Sequence, residues 1–256
     1  MVWNRSPAKT APLVELGARA AATPAELAAS VPVLITMLAD PAALRATVSG
    51  PAGIAAGIAP DAAMVEMSTV GPATIAWLRS QLPADVDVVD APVLGSVAQV
   101  EHGELTLYAG GSPDAVQRVT PVLAPLGTVV PVGASGNGAA AKLLANAALF
   151  VAVAAVGEAI TLGRRVGLDD ETLYRVLATT PLAAETARRR PLLEAADYPA
   201  RFSLALAVKD AGLIHDAAGG GQLRLLEGVR EWLVEAAAQG RGEQDYTAVL
   251  ATITGR

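Results

Sequence analysis

The sequence predicts an α/β domain followed by an all-α domain, joined by one long helix. Three observations carry that prediction. Apolar runs of strand length alternate with helical segments as far as Val132, the pattern of a sheet with crossover helices. After Gly133 no strand-like run follows. The stretch Gly133 to Arg165 opens with glycines, then turns apolar apart from Lys142, Asn146 and Glu158, and contains no proline. Such a composition favours a single continuous helix.

Composition narrows the function classes. The chain has 256 residues, 52% of them hydrophobic and 17% charged, which is a globular composition with ample core. A net charge of −6 argues against nucleic acid or an anionic membrane as the main partner. There is no cysteine, so disulfides and thiolate metal sites are excluded. Aromatic residues make up 4%, a poor supply for stacking on bases. The opening M-V-W-N-R-S-P has no basic segment leading into an apolar core and is not a secretory signal. The uncharged run Leu143 to Gly157 is shorter than the ~20 residues a bilayer needs. A cytoplasmic address is the expectation.

In chain order, Val2-Trp3 reads as the end of a β-strand running into Asn4-Arg5-Ser6-Pro7. A helix is drawn through Ala11 to Ala20. Thr23-Pro24-Ala25-Glu26 has the form of a capping box with proline at the first helical position. Val31 to Leu38 is continuously apolar apart from Thr36, as expected of a parallel strand buried on both faces. Asp40-Pro41 caps a helix reaching about Val48. Strands follow at Ala63–Met67, Val86–Val89, Leu105–Ala109 and Thr128–Val132, with helices at Pro72–Leu82 and from Ser112-Pro113. Right-handed crossovers would make this a Rossmann-type domain over residues 1–135. Residues 136–256 then read as helices: the long one, Asp169–Thr179, Ala183–Ala196, Ser203–Ala218 and Leu223–Gln239.

Lys142 and Asn146 are spaced i, i+4 on the long helix, so they share a face about 6 Å apart along the axis. They either satisfy each other and nearby carbonyls or line a cleft. Gly136-Asn137-Gly138-Ala139-Ala140-Ala141 matches a G-x-G-x-x-A dinucleotide fingerprint, but no second strand ending in an acidic residue follows. It is rejected as a cofactor loop; its glycines let the helix start approach something closely. Asn4-Arg5-Ser6 after a strand suits the adenosine end of a dinucleotide, where arginine selects a 2′-phosphate; a solvated turn is the alternative. Met67 to Pro72 and Asp90 to Ser96 lie at the carboxyl ends of strands, where open α/β sheets bind ligands. Ordinary capping by Ser68 or Thr69 is the plainer reading. Lys209-Asp210 interrupts a largely apolar helix. His102 and His215 have no metal-ligand spacing, and no metal site or catalytic triad is expected.

Together these segments resemble the β-hydroxyacid dehydrogenase family, relatives of 3-hydroxyisobutyrate and 6-phosphogluconate dehydrogenases. V-W-N-R-S is similar to its second strand and NADP-selecting turn, I-T-M-L-A to the strand whose loop passes the cofactor, and M-S-T-V-G-P to the segment at the nicotinamide. D-A-P-V-L-G-S resembles the substrate-binding motif, G-N-G-A-A-A-K-L-L-A-N the catalytic motif, and V-K-D-A-G-L the cofactor-closing helix. The resemblance implies that Lys142 is the catalytic lysine, with Gly95, Ser96 and Asn146 binding a small carboxylate-bearing substrate. Asn4, Arg5, Ser6, Met37, Leu38, Thr69 and Lys209 would bind the cofactor, NADP before NAD. It also implies a homodimer.

Two departures stand out. Leu94 occupies a position where many members carry serine. The family's first strand, its G-x-G-x-x-G loop and first helix have no counterpart, and about 30 residues of βαβ unit would precede Met1. The expectation is therefore an N-terminally incomplete domain, whose sheet lacks the strand between the second and fourth and exposes two edges. A non-catalytic dimerisation remnant and an imine reductase are the alternatives.

Overall fold

A six-stranded mixed sheet organises the first part of the chain in the computed structural model, which describes residues 1–255. Strands β1 (Val33–Thr36), β2 (Ala63–Glu66) and β3 (Asp87–Asp90) run parallel. The chain then turns back through β4 (Val93–Leu94) into β5 (Leu105–Gly110), which is antiparallel to β3 and β4. Strand β6 (Gly127–Gly133) lies parallel to β5 on its other side. The sheet is thus not purely parallel. Between β3 and β5 the chain forms only β4 and the 6-residue helix α6 (Val97–His102), with no long helix to carry it back as a parallel crossover.

Helices α1 (Ala11–Glu15), α2 (Pro24–Ala29), α3 (Pro41–Val48), α4 (Ile54–Gly57), α5 (Pro72–Gln81) and α7 (Pro113–Leu123) complete this unit. Local chemistry fixes their starts. Asp40 and Ser112 accept from the amides of Ala43 and Ala115, with proline leading each helix, so a side-chain oxygen satisfies an orphan donor. Thr23 likewise accepts from Glu26, while Glu26 reaches back to the Ala22 amide, one residue earlier than in a regular capping box.

Alternation along the strands divides the core. Leu34, Met64 and Val88 pack with Leu44, Val48, Ile54, Ile75 and Leu78 of α3, α4 and α5. Their neighbours Ala63, Val65 and Val89 pack on the other face with Leu107 and with Val116, Val119 and Leu123 of α7. Period-two alternation between two apolar faces is what a sheet covered on both sides requires.

The N-terminus departs from expectation. Val2 makes an isolated parallel bridge with Ala20, outside the sheet, rather than ending a ladder strand. The helix expected over Ala11 to Ala20 stops at Glu15 and is preceded by a 3₁₀ turn, Pro7–Thr10. Gly17, with φ 94°, follows that stop. Strand β1 forms the sheet edge, with β2 as its hydrogen-bonded neighbour among the described residues.

Helix α8 (Asn137–Arg165) carries the chain into the second compact unit, and the two units divide within it, between Lys142 and Leu143. The second unit holds α9 (Asp170–Leu177), α10 (Ala183–Ala195), α11 (Leu204–Ala217), α12 (Arg224–Ala236) and α13 (Val249–Thr254). By length and composition α8, at 29 residues, could cross a membrane. Here it is a core helix: Phe150, Val153, Val156 and Ile160 are buried against Leu173, Leu204, Leu233 and Leu250. A Cβ on Gly157 would come within 2.9 Å of Ile253, so glycine lets α13 pack closely there. The short elements α4, β4, α6 and α13 were not expected, because none is long enough to show a periodic pattern.

Candidate active site

The candidate residues fall in each unit separately. In the first, apart from Asn4, Arg5, Ser6 and Lys142, they follow the carboxyl ends of β1, β2 and β3, where the strands of an open sheet release free backbone groups. Met37 is 63% exposed just past β1. The Leu38 amide donates to Ser68 Oγ at 2.7 Å. Ser68 therefore does not cap α5; it ties the loop after β2 to the loop after β1. Beneath it lies Glu66, fully buried, whose Oε1 accepts from the Ser68 amide at 2.7 Å and whose Oε2 accepts from the Thr36 hydroxyl. Burial pushes the Glu66 carboxyl above its ordinary pKa, with the bonds from Ser68 and Thr36 opposing. Thr69, half-buried, follows in the same loop.

A second buried carboxylate, Asp90, sits beside Glu66 in the ladder. Its Oδ1 accepts from Gly136 and its Oδ2 from Ala139, each at 2.7 Å. Gly136 immediately precedes α8 and Ala139 lies in its first turn, where N–H groups have no partner within the helix. Desolvation raises the Asp90 pKa while those backbone bonds lower it; burial prevails. The chain's G-x-G-x-x-A match is thus occupied by an internal carboxylate rather than offered to a phosphate. Its close approach is physical: a Cβ on Gly138 would stand 2.2 Å from Asp90 O and 2.3 Å from Tyr108 O. Neither Asp90 nor Glu66 is a site candidate in the sequence, although each closes its strand with a carboxylate.

Past β3, Leu94 is exposed. Gly95 takes φ 134°, and a Cβ there would meet Leu105 Cδ2 at 2.6 Å, so the turn requires glycine. Ser96 donates both its amide and its hydroxyl to Gln99 Oε1, each at 2.8 Å. At the N-terminus Asn4, Arg5 and Ser6 are all exposed, and the Ser6 amide donates to Asn4 Oδ1 at 2.9 Å. This turn presents the Arg5 side chain between two small polar neighbours.

Lys142 is half-buried on α8, the last residue of the first unit. In the second unit Asn146, 1% exposed, donates its Nδ2 to Asp210 Oδ2 at 2.7 Å. Asp210, equally buried, also holds Lys209, whose Nζ lies 2.6 Å from Oδ1. A carboxylate between an amide and an ammonium fixes which way the amide points. Asp210 is thus the common partner of two expected site residues. His102 hydrogen-bonds Ala98 on its own helix, and His215 pairs with Glu227 at 2.6 Å.

Comparison with known proteins matches both halves of the chain. Residues 1–134 match the NAD binding domain of 6-phosphogluconate dehydrogenase, and residues 136–253 match the NAD-binding domain of NADP-dependent 3-hydroxyisobutyrate dehydrogenase. The chain is 32% identical to 3-sulfolactaldehyde reductase of Escherichia coli over 94% of its length and 83% of that protein's. It is 29% identical to 2-(hydroxymethyl)glutarate dehydrogenase of Eubacterium barkeri over 95% and 83%. The solved structure of Mycobacterium tuberculosis 3-hydroxyisobutyrate dehydrogenase with L-serine superposes with a TM-score of 0.86 at 25% identity, covering 98% of this chain and 89% of that one. With both halves matched in order, the chain belongs to the β-hydroxyacid dehydrogenase family of NAD(P)-dependent oxidoreductases.

Proposed function

We propose that the protein interconverts a small β-hydroxyacid and its semialdehyde or oxo acid with NADP, using Lys142 as general acid/base. The observation that carries this reading is the Asn146–Asp210–Lys209 arrangement, with an almost fully buried amide held at 2.7 Å four residues after Lys142. When bound, the nicotinamide supplies or accepts the hydride. In the reductive direction alkoxide charge builds on the substrate oxygen. The Lys142 ammonium stabilises that charge and delivers the proton; in the oxidative direction the amine receives it. Asn146 orients the substrate, and Gly95 and Ser96 hold its carboxylate.

The residues present suit the two ends of the cofactor. An exposed guanidinium flanked by Asn4 and Ser6 has the donor chemistry for a ribose 2′-phosphate. Met37, Leu38, Thr69 and Lys209 belong to the nicotinamide side. The working form is a cytoplasmic homodimer, and the exposed Leu94 favours an acid with an apolar substituent.

A second reading has one observation in its favour: the only glycine fingerprint in the sequence is filled by Asp90. On that reading the chain is a non-catalytic dimerisation module. Calorimetric titration with NADPH and NADH separates the two. Micromolar binding that prefers NADPH, followed by turnover that Lys142→Ala lowers by ~10²–10⁴-fold, supports the enzyme. A folded chain that binds neither nucleotide overturns it. Turnover of a cyclic imine in place of a carbonyl acid would point instead to imine reduction.

A further inference from the structure

We propose that Glu66 is a positioning residue for the nicotinamide cofactor, fixing through Ser68 and Thr36 how far apart the loops after β1 and β2 stand. The inference rests on the reading above that Met37, Leu38 and Thr69 belong to the nicotinamide side. The ladder between β1 and β2 ends where the Met67 amide donates to Thr36 O at 2.9 Å. Past that rung the two loops are joined through side chains. The Leu38 amide donates to Ser68 Oγ at 2.7 Å, and the Ser68 amide donates to Glu66 Oε1 at 2.7 Å. The Ser68 hydroxyl also bonds to the Glu66 carboxylate, and the Thr36 hydroxyl donates to Oε2.

One carboxylate thus gathers the end of β1 and the first residues after β2. A carboxylate offers about four lone-pair sites, enough for these three donors at once. Glu66 is fully buried and Ser68 nearly so, so a bond lost here is not replaced by water. Without Glu66 the loops would hold the binding separation for only part of the time, and apparent affinity falls by that fraction. Glu66 has no exposed surface and acts through its neighbours: Leu38 is tied to Ser68, and Thr69 follows directly. A neutral amide serves the same purpose. Glutamine in place of Glu66 accepts from the Ser68 amide and donates to Thr36, whose own hydroxyl proton then turns to Val65 O, 3.4 Å away.

The test is a calorimetric titration of the whole chain with NADPH, with the Leu38 and Thr69 amide resonances followed in ¹⁵N-labelled protein. Glu66→Met keeps the size but removes the carboxylate, and should raise Kd roughly three- to tenfold. Ser68→Ala should do likewise, while Glu66→Gln should stay within about twofold of wild type. Glu66 and Ser68 act through one chain of bonds, so the double variant should be weakened by less than the product of the single effects. Leu123→Ala, in the core on α7 and outside both loops, lowers stability alone and should leave Kd unchanged. That control separates positioning from a general loss of stability. If the two resonances move with NADPH but Ser68→Ala or a folded Glu66→Met binds like wild type, the positioning role is rejected and the cofactor reading survives. Equal weakening by Leu123→Ala, or by Glu66→Gln and Glu66→Met alike, rejects it too. Should Glu66→Met not fold, Ser68→Ala decides alone. If NADPH binds without moving either resonance, or does not bind, the cofactor reading falls and the positioning role falls with it.

Discussion

Asp90 accepts the Gly136 amide proton at 2.7 Å, joining residues 46 positions apart. With the matching bond from Ala139, a buried carboxylate closes the first turn of α8. The helix that presents Lys142 is thereby set in register on the end of β3. Asp90→Asn retains only one acceptor oxygen, so one buried N–H faces an amide NH₂. A loss of about 1–3 kcal/mol is expected, read as a lower urea midpoint with an unchanged slope.

The neighbouring carboxylate, Glu66, makes stability depend on pH. Glu66 has its pKa raised by burial, so the unfolded chain releases this proton at lower pH than the folded one. Its contribution to stability therefore falls as pH rises from ~4.3, the free glutamate value, through the folded pKa. Glu66→Gln still accepts from the Ser68 amide and can donate to Thr36. The variant should melt above wild type at pH 8, and the gap should close by pH 4. A gap independent of pH would show that ionisation of Glu66 is not the cause.

In the second unit, Asp210→Ala removes the shared partner of Asn146 and Lys209. Loss of one member of a buried ion pair costs about 3–5 kcal/mol, but Lys209 retains 21% side-chain exposure and can turn to water. About 1–3 kcal/mol is the expected cost after that discount. Combining it with Asn146→Ala should give less than the sum of the single effects, since both delete one hydrogen bond. Strict additivity in urea unfolding would rule out the coupling.

On the proposed reading, cofactor choice is made at the N-terminus. Arg5→Ala should lower NADPH affinity roughly tenfold through loss of charge-assisted bonds to the 2′-phosphate, with NADH affinity little changed. Calorimetry with both nucleotides checks this, and equal losses for the two would remove Arg5 from the 2′-phosphate.

Much of this architecture was legible in the sequence where a local rule applied. Asp40-Pro41 and Ser112-Pro113 marked helix starts because a capping oxygen and a proline act within one turn. Asn146 and Lys209 stood out as polar residues on apolar helices. The Asp90 bonds were hidden, because nothing local connects that residue to Gly136 or Ala139. The antiparallel return of β5 was equally hidden, since strand alternation reports burial and not direction. The Ser96–Gln99 pairing has the S-x-x-Q capping-box spacing and was legible locally, whereas the isolated bridge of Val2 was not, because composition cannot count a strand's neighbours.

The reversal between β3 and β5 also bears on how such a protein diversifies. Asp90 is paired with Gly110, and Val93 and Leu94 with Leu107 and Thr106. These pairs anchor both ends of the segment that runs from Gly95 to Glu104. That segment is in effect an exchangeable cassette: residues 97–101 can be rewritten while every rung of the ladder keeps its partner. A library randomised there should retain the wild-type circular dichroism spectrum while its members sort by the acids they accept.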